Sequence, residues 1–166
     1  MELSQVAILA AVGFFFAFLF FQFRPSARRA RREVGLAIRD ARARAYKAKT
    51  PEERALALSD AGEAAVKAKR WVAAAGYFLR AMRGSPASAK IVSRAGAGLA
   101  RRPMLSERTF WRRLAALPED EAHRAAYLET VRQLASLYES TLPDPGRARA
   151  LRRLEALETM RDAAST

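Results

Sequence analysis

The polarity pattern divides the chain into three stretches. Leu3–Phe23 carries no formal charge, and its polar positions Ser4, Gln5 and Gln22 fall near the ends. Seven of the nine phenylalanines lie in this stretch, so it is apolar all round and not on one face only. Its 21 residues would make a helix of roughly 31 Å, the thickness of a bilayer's hydrocarbon core. The pattern predicts a single transmembrane helix, with an anchor over residues 1–24. A secretory signal would place basic residues before a shorter apolar core and small residues after it. Here Met1-Glu2 precede the run and Phe-Gln-Phe-Arg-Pro closes it.

In the second stretch, residues 25–49, the apolar positions Ala30, Val34, Ala37, Ala41, Ala45 and Ala48 recur at steps of three and four. That is one narrow helical face, built mostly of alanine. Pro25 is expected to break the preceding helix and Ser26 to cap a new one, giving a basic juxtamembrane helix that acts as a neck. Beyond it three prolines punctuate the chain at related spacings. Thr50-Pro51-Glu52-Glu53 has the cap, first-turn proline and acidic third residue of a capping box. Ser85-Pro86 and Leu117-Pro118-Glu119-Asp120-Glu121 are predicted as two further helix starts. Each interval has room for two helices, so residues 50–161 are predicted as about three antiparallel helical hairpins, with 162–166 a disordered tail. The fold class expected is all-α: transmembrane helix, basic neck, then the hairpin array.

Charge sharpens this picture. The chain has a net charge of +13 over 166 residues. Residues 24–49 hold ten basic residues against Glu33 and Asp40, so the excess is concentrated next to the apolar run. Lys and Arg flanking a membrane helix stay cytoplasmic, which predicts an outward N-terminus, a cytoplasmic C-terminal domain and, from the Ala- and Arg-rich usage, a bacterial inner membrane. Arg24, Arg28, Arg29, Arg31 and Arg32 are candidates for anionic-lipid contact. Arg39, Arg42, Arg44, Lys47 and Lys49 exceed what orientation requires. Tyr46 is the one aromatic among them, which argues against nucleic acid as a partner, since single strands are bound by stacking.

Candidate chemistry is sparse. The chain has no cysteine and one histidine, His123, which is read as a solvated surface residue. Metal sites need clustered His, Cys and carboxylates. Ser59-Asp60 and Ser136 lack a base at a useful spacing. Gly96-Ala97-Gly98 lies inside a helical pattern, with no Gly-Lys-Ser/Thr after it. The expectation is a non-enzyme with no catalytic residues, cofactor or metal.

The first hairpin carries Leu58, Ala61-Gly62 and Ala65, then Ala74, Phe78, Ala81 and Pro86. In this order and spacing it resembles a tetratricopeptide repeat. Small residues at Gly62 and Ala74 would let the helices cross, Phe78 would fill the gap, and Ala81 would admit the next hairpin. The second hairpin matches at Val92, Ala95-Gly96 and Leu99, but its aromatic position falls on Arg112 unless shifted to Phe110 or Trp111. The third matches at Val131, Leu134-Ala135, Tyr138 and Leu151, with Arg147 where a small residue belongs. The resemblance implies a concave groove formed by the first helices, faced by Ser59, Glu63, Val66, Lys67, Ser93, Ala97 and Arg101. Leu58, Gly62, Ala74, Phe78, Ala81 and Pro86 would be packing positions. The family's carboxylate clamp uses Lys and Asn where this chain has Ser59 and Glu63, so that clamp is not expected. Trp111, with Phe110 and Leu114, is a candidate exposed patch for a partner.

Together these readings predict a membrane-anchored adaptor or scaffold, binding membrane-associated protein partners in assembling or regulating an envelope complex. Three alternatives share the features: a permanent accessory subunit of a larger membrane complex, an electrostatic tether for anionic lipid or nucleic acid through residues 24–49, and a protein similar in plan to a mitochondrial import receptor.

Overall fold

The computed structural model describes residues 3–118 and 120–164; within the first helix, side chains are described at residues 11–16, 18 and from 32 onward, and in the last helix as far as residue 161. Among the described residues the chain is all-helical, with no strand. Seven α-helices follow one another: α1 (Leu3–Lys47), α2 (Pro51–Lys67), α3 (Trp71–Gly84), α4 (Ala89–Leu99), α5 (Pro103–Leu114), α6 (Arg124–Ser140) and α7 (Pro145–Ala164), with a short 3-10 turn, Glu121–His123, before α6.

α1 departs from expectation in two ways. It is a single helix of 45 residues that runs through Pro25 without a break. A proline inside a helix removes one backbone bond, but the Ala- and Arg-rich stretch that follows, residues 27–32, is a strong helix former and carries the helix past it. The predicted boundary between anchor and neck is therefore absent. The membrane-spanning segment is also overturned: among the described residues no helix is long and apolar enough to cross a membrane. The same helix continues without interruption into the arginine-rich stretch. The single-pass topology and inner-membrane placement drawn from that segment fall with it. Arg24, Arg28, Arg29 and Arg31, assigned to lipid contact, lie outside the residues whose side chains are described, and Arg32 is exposed.

The chain divides into two compact units, Met1–Leu36 and Ala37–Thr166. In the first, Val12, Phe14, Phe15, Phe16 and Phe18 are exposed. The second begins inside α1, thirteen residues before the boundary expected at Thr50. Ile38, Ala41 and Ala45 lie one helical step apart and are buried, and Arg44 pairs with Asp60 of α2 at 3.0 Å. The end of the predicted neck is therefore a packed part of the helical unit.

From α2 onward the capping chemistry explains most boundaries. Thr50 Oγ1 accepts the Glu53 amide at 3.1 Å, and the Glu53 carboxylate accepts from the amides of Thr50 and Lys49. α2 closes with Lys69 in the left-handed region, φ 58°. The amides of Lys69 and Arg70 there bond back to the Val66 and Ala65 carbonyls, the pattern of a Schellman cap. Asp144 Oδ1 accepts the amides of Gly146 and Arg147 and starts α7. Two predicted starts move. α4 begins at Ala89, because Ser85–Ala87 form a turn whose Pro86 carbonyl serves another contact. The third start is displaced to Asp120, which caps the 3-10 turn through the His123 amide and also bonds the His123 ring. His123 is thus partly buried and paired, not freely solvated; Glu119 lies outside the described residues.

α2 packs along α3 and α6 along α7 as hairpins, whereas α4 and α5 touch only lightly. α4 instead lies against α2, α3 and α6, and α5 against α3 and α6. At the centre, the fully buried Phe78 of α3 is held between two glycines. A Cβ on Gly62 of α2 would come within 2.9 Å of Phe78 Cε1, and one on Gly98 of α4 within 2.9 Å of Cε2. Ala74 and Ala81 are fully buried beside it, Leu58 is half-buried and Pro86 partly exposed.

Candidate functional site

The residues assigned to a groove on α2 and α4 do not form one surface. Ser59 is fully buried in the core, and its hydroxyl has no hydrogen-bond partner. Val66 is half-buried against the α4 backbone near Gly98. Glu63 is engaged by Arg94 at 2.6 Å, and Arg94 also pairs with Asp60 at 2.7 Å, which Arg44 meets from α1. The hydrogen bond to Glu63, ahead of that to Asp60, holds the Arg94 guanidinium well above its ordinary pKa. This cluster ties α1, α2 and α4 together and commits its charges internally. Lys67, Ser93, Ala97 and Arg101 are exposed. Helical periodicity places Ser93 and Ala97 on one side of α4, and Arg101 follows the end of that helix.

Trp111 is different. It is 40% exposed, and its indole Nε1 donates to Tyr138 Oη of α6 at 3.0 Å. Tyr138 is itself 3% exposed. Its hydroxyl donates to Glu107 of α5 and accepts a second bond from Arg147 Nη1 of α7 at 3.0 Å. A hydroxyl offers one donor and two acceptor positions, and all three are used. Arg147 also pairs with Glu107 at 3.2 Å and lies over the Tyr138 ring, 5.4 Å from its centroid. The hydrogen bond to Tyr138 raises the Arg147 pKa above its usual value.

This network walls a cavity of about 490 Å³ lined by Glu107, Trp111, Arg147, Ala150, Leu151 and Leu154. Because Glu107 and Arg147 neutralise each other, what the cleft offers is apolar: an indole face on one side and the Ala150–Leu154 turn on the other. A wider depression of about 700 Å³ runs along α6 and α7 past Pro143 and Ala148. It presents no large exposed aromatic side chain, and its Arg152 is bound to Glu139 and Glu155.

Sequence reasoning found Trp111 but missed Glu107, Tyr138 and Arg147 as its surroundings. The signal was present in the two departures from the repeat pattern. The aromatic displaced to Trp111 in the second hairpin and the arginine at a small-residue position in the third, Arg147, both bond the Tyr138 hydroxyl and line the same cavity. Among the described residues no group of three or more His, Cys, Asp and Glu could hold a metal ion. Comparison with protein-family models, curated proteins and solved structures finds no match to this chain.

Proposed function

We propose that the helical unit Ala37–Thr166 is a protein-interaction module, a tetratricopeptide-like array whose recognition element is the Trp111 cleft. The observation that carries this reading is a half-exposed tryptophan locked in place by a buried hydroxyl at the mouth of an apolar cavity. Tryptophans of this kind dominate binding energy at protein interfaces, where a rigid aromatic anchor meets a desolvated pocket. The orientation of Trp111 is fixed before any partner arrives, so little entropy is left to lose on binding. A partner helix or peptide would place one or two apolar side chains between the indole and Leu151. The array-like reading is supported by the succession of contacts α2–α4–α6 and by the close fit of Gly62 to Phe78.

The test is affinity capture with the parent chain, Trp111→Ala, Leu151→Arg and a control, Val72→Ala, whose side chain is 80% exposed elsewhere on the unit. A discrete protein kept by the parent and the control but lost by both cleft variants, with thermal stability maintained, supports the proposal. Identical captured proteins across all four would exclude the cleft as the recognition element.

A further inference from the structure

α5 presents a second feature on its other side. Trp111 and Arg113 are two residues apart, about 200° around a helix. Where Trp111 faces the apolar cleft, Arg113 is buried, at 3% exposure. Its Nη1 donates to the Met82 carbonyl at 2.9 Å and its Nη2 to the Pro86 carbonyl, while its Nε has no partner. These contacts tie α5 to the end of α3, whose last carbonyls lack partners within the helix. They do not balance the charge. Burial lowers the Arg113 pKa to about 10, so the guanidinium remains charged at neutral pH.

Arg113 lines a cavity of about 180 Å³ together with Arg83, Arg112, Leu79, Pro86, Ala116 and Pro118. Among the described residues no carboxylate lines this cavity, and neither Arg83 nor Arg112 has an ion-pair partner. The arginines come from the last turns of α3 and α5, whose C-terminal ends each carry about half a negative charge. Three guanidiniums against two helix ends leave roughly two positive charges around a small cavity. The volume is below the 300 Å³ or more, on the order of a nucleotide- or drug-sized ligand.

We propose that the Arg83–Arg112–Arg113 cavity is a binding site for a phosphomonoester dianion, either free phosphate or the phosphate of a phosphorylated partner side chain. Both sources present the same tetrahedral, doubly charged group with several acceptor oxygens, which arginine forks match better than they match a single carboxylate charge. The site is independent of the Trp111 cleft and stands or falls separately.

The experiment is calorimetric titration of the full chain at physiological ionic strength with three probes: inorganic phosphate, a phosphoserine peptide, and the same peptide with unmodified serine. Saturable binding of phosphate or the phosphopeptide, but not of the serine peptide, is expected. Arg112→Gln and Arg83→Gln should each weaken it by about tenfold, the effect of losing one charge-assisted contact. Arg70→Gln, an equal change in net charge at an exposed position, should leave it intact. A phosphopeptide bound much more tightly than inorganic phosphate identifies a modified partner as the source; equal affinities identify free phosphate. Arg113→Lys keeps the charge but loses the fork and should weaken binding too; because it also touches α3, the two surface variants decide the matter if it unfolds. No saturable binding of either phosphate probe, or equal losses in Arg70→Gln and Arg112→Gln, would overturn the site.

Discussion

Trp111 and Tyr138 are joined by one hydrogen bond, Nε1 to Oη at 3.0 Å, that connects a half-exposed indole to a buried hydroxyl. That hydroxyl is also bonded to Glu107 and Arg147. Replacing Tyr138 by Phe keeps the ring and removes the node: Glu107 and Arg147 keep each other, and the Trp111 indole N–H loses its acceptor. We expect a stability loss of about 1–3 kcal/mol and a freer Trp111. Urea denaturation gives the first; the near-ultraviolet dichroism of the indole, which should weaken, gives the second. Unchanged dichroism would mean that Trp111 is held by its packing alone.

Gly62→Ala tests the other tight fit. Alanine gains up to about 1 kcal/mol over glycine in a helix interior. Its Cβ would sit 2.9 Å from the Phe78 ring, and overpacking of this kind costs about 1–3 kcal/mol. The expected net change is a loss of about 1 kcal/mol. It should be recovered largely in the double variant with Phe78→Leu. A stabilised single variant would show that the ring has room to move.

Lys69 closes α2 with φ 58°, a conformation that costs an L-residue about 1–2 kcal/mol. Glycine adopts it freely but is more disordered when unfolded. Lys69→Gly should therefore raise stability by up to about 1 kcal/mol, readable as a higher melting temperature.

Acid should loosen the last hairpin. Glu155 is hydrogen-bonded first by Arg152 and then by Arg132, and these contacts hold its pKa below the ordinary 4.5. A carboxyl with a lowered folded pKa contributes stability above its unfolded value, and that contribution disappears as pH falls through the lowered one. Relative to Glu155→Gln, the parent should be more stable at neutral pH and lose its advantage below about pH 4.5. Denaturation midpoints across that range measure it. A constant gap would assign the effect to something other than ionisation.

The sequence made some elements readable and hid others, for physical reasons. Local chemistry was legible where a cap declared itself: Thr50 with Glu53 sets the helix start it predicts. The Gly62–Phe78 fit was legible because only a small residue lets an aromatic ring approach a helix so closely. The start at Ser85-Pro86 failed because the Pro86 carbonyl is claimed by Arg113, 27 residues away, a tertiary demand with no local signature. Ser59 followed the repeat pattern outward, yet it is in the core. Counting helical phase does not register that α1 also packs onto this unit through Ile38, Ala41 and Ala45. The apolar run at the start of the chain dominated the sequence reading, and the membrane span drawn from it is not a feature of the described helices.

The ring of Phe78 also bears on how the chain assembles. In an ideal repeat array each hairpin can unzip with little regard to its neighbour. Here one side chain of the first hairpin completes its packing only when α4 closes over it at Gly98. α2 and α3 alone would leave half of that ring in water. The three helices should therefore protect their amides from exchange as one block, with fraying confined to segments that Phe78 does not reach.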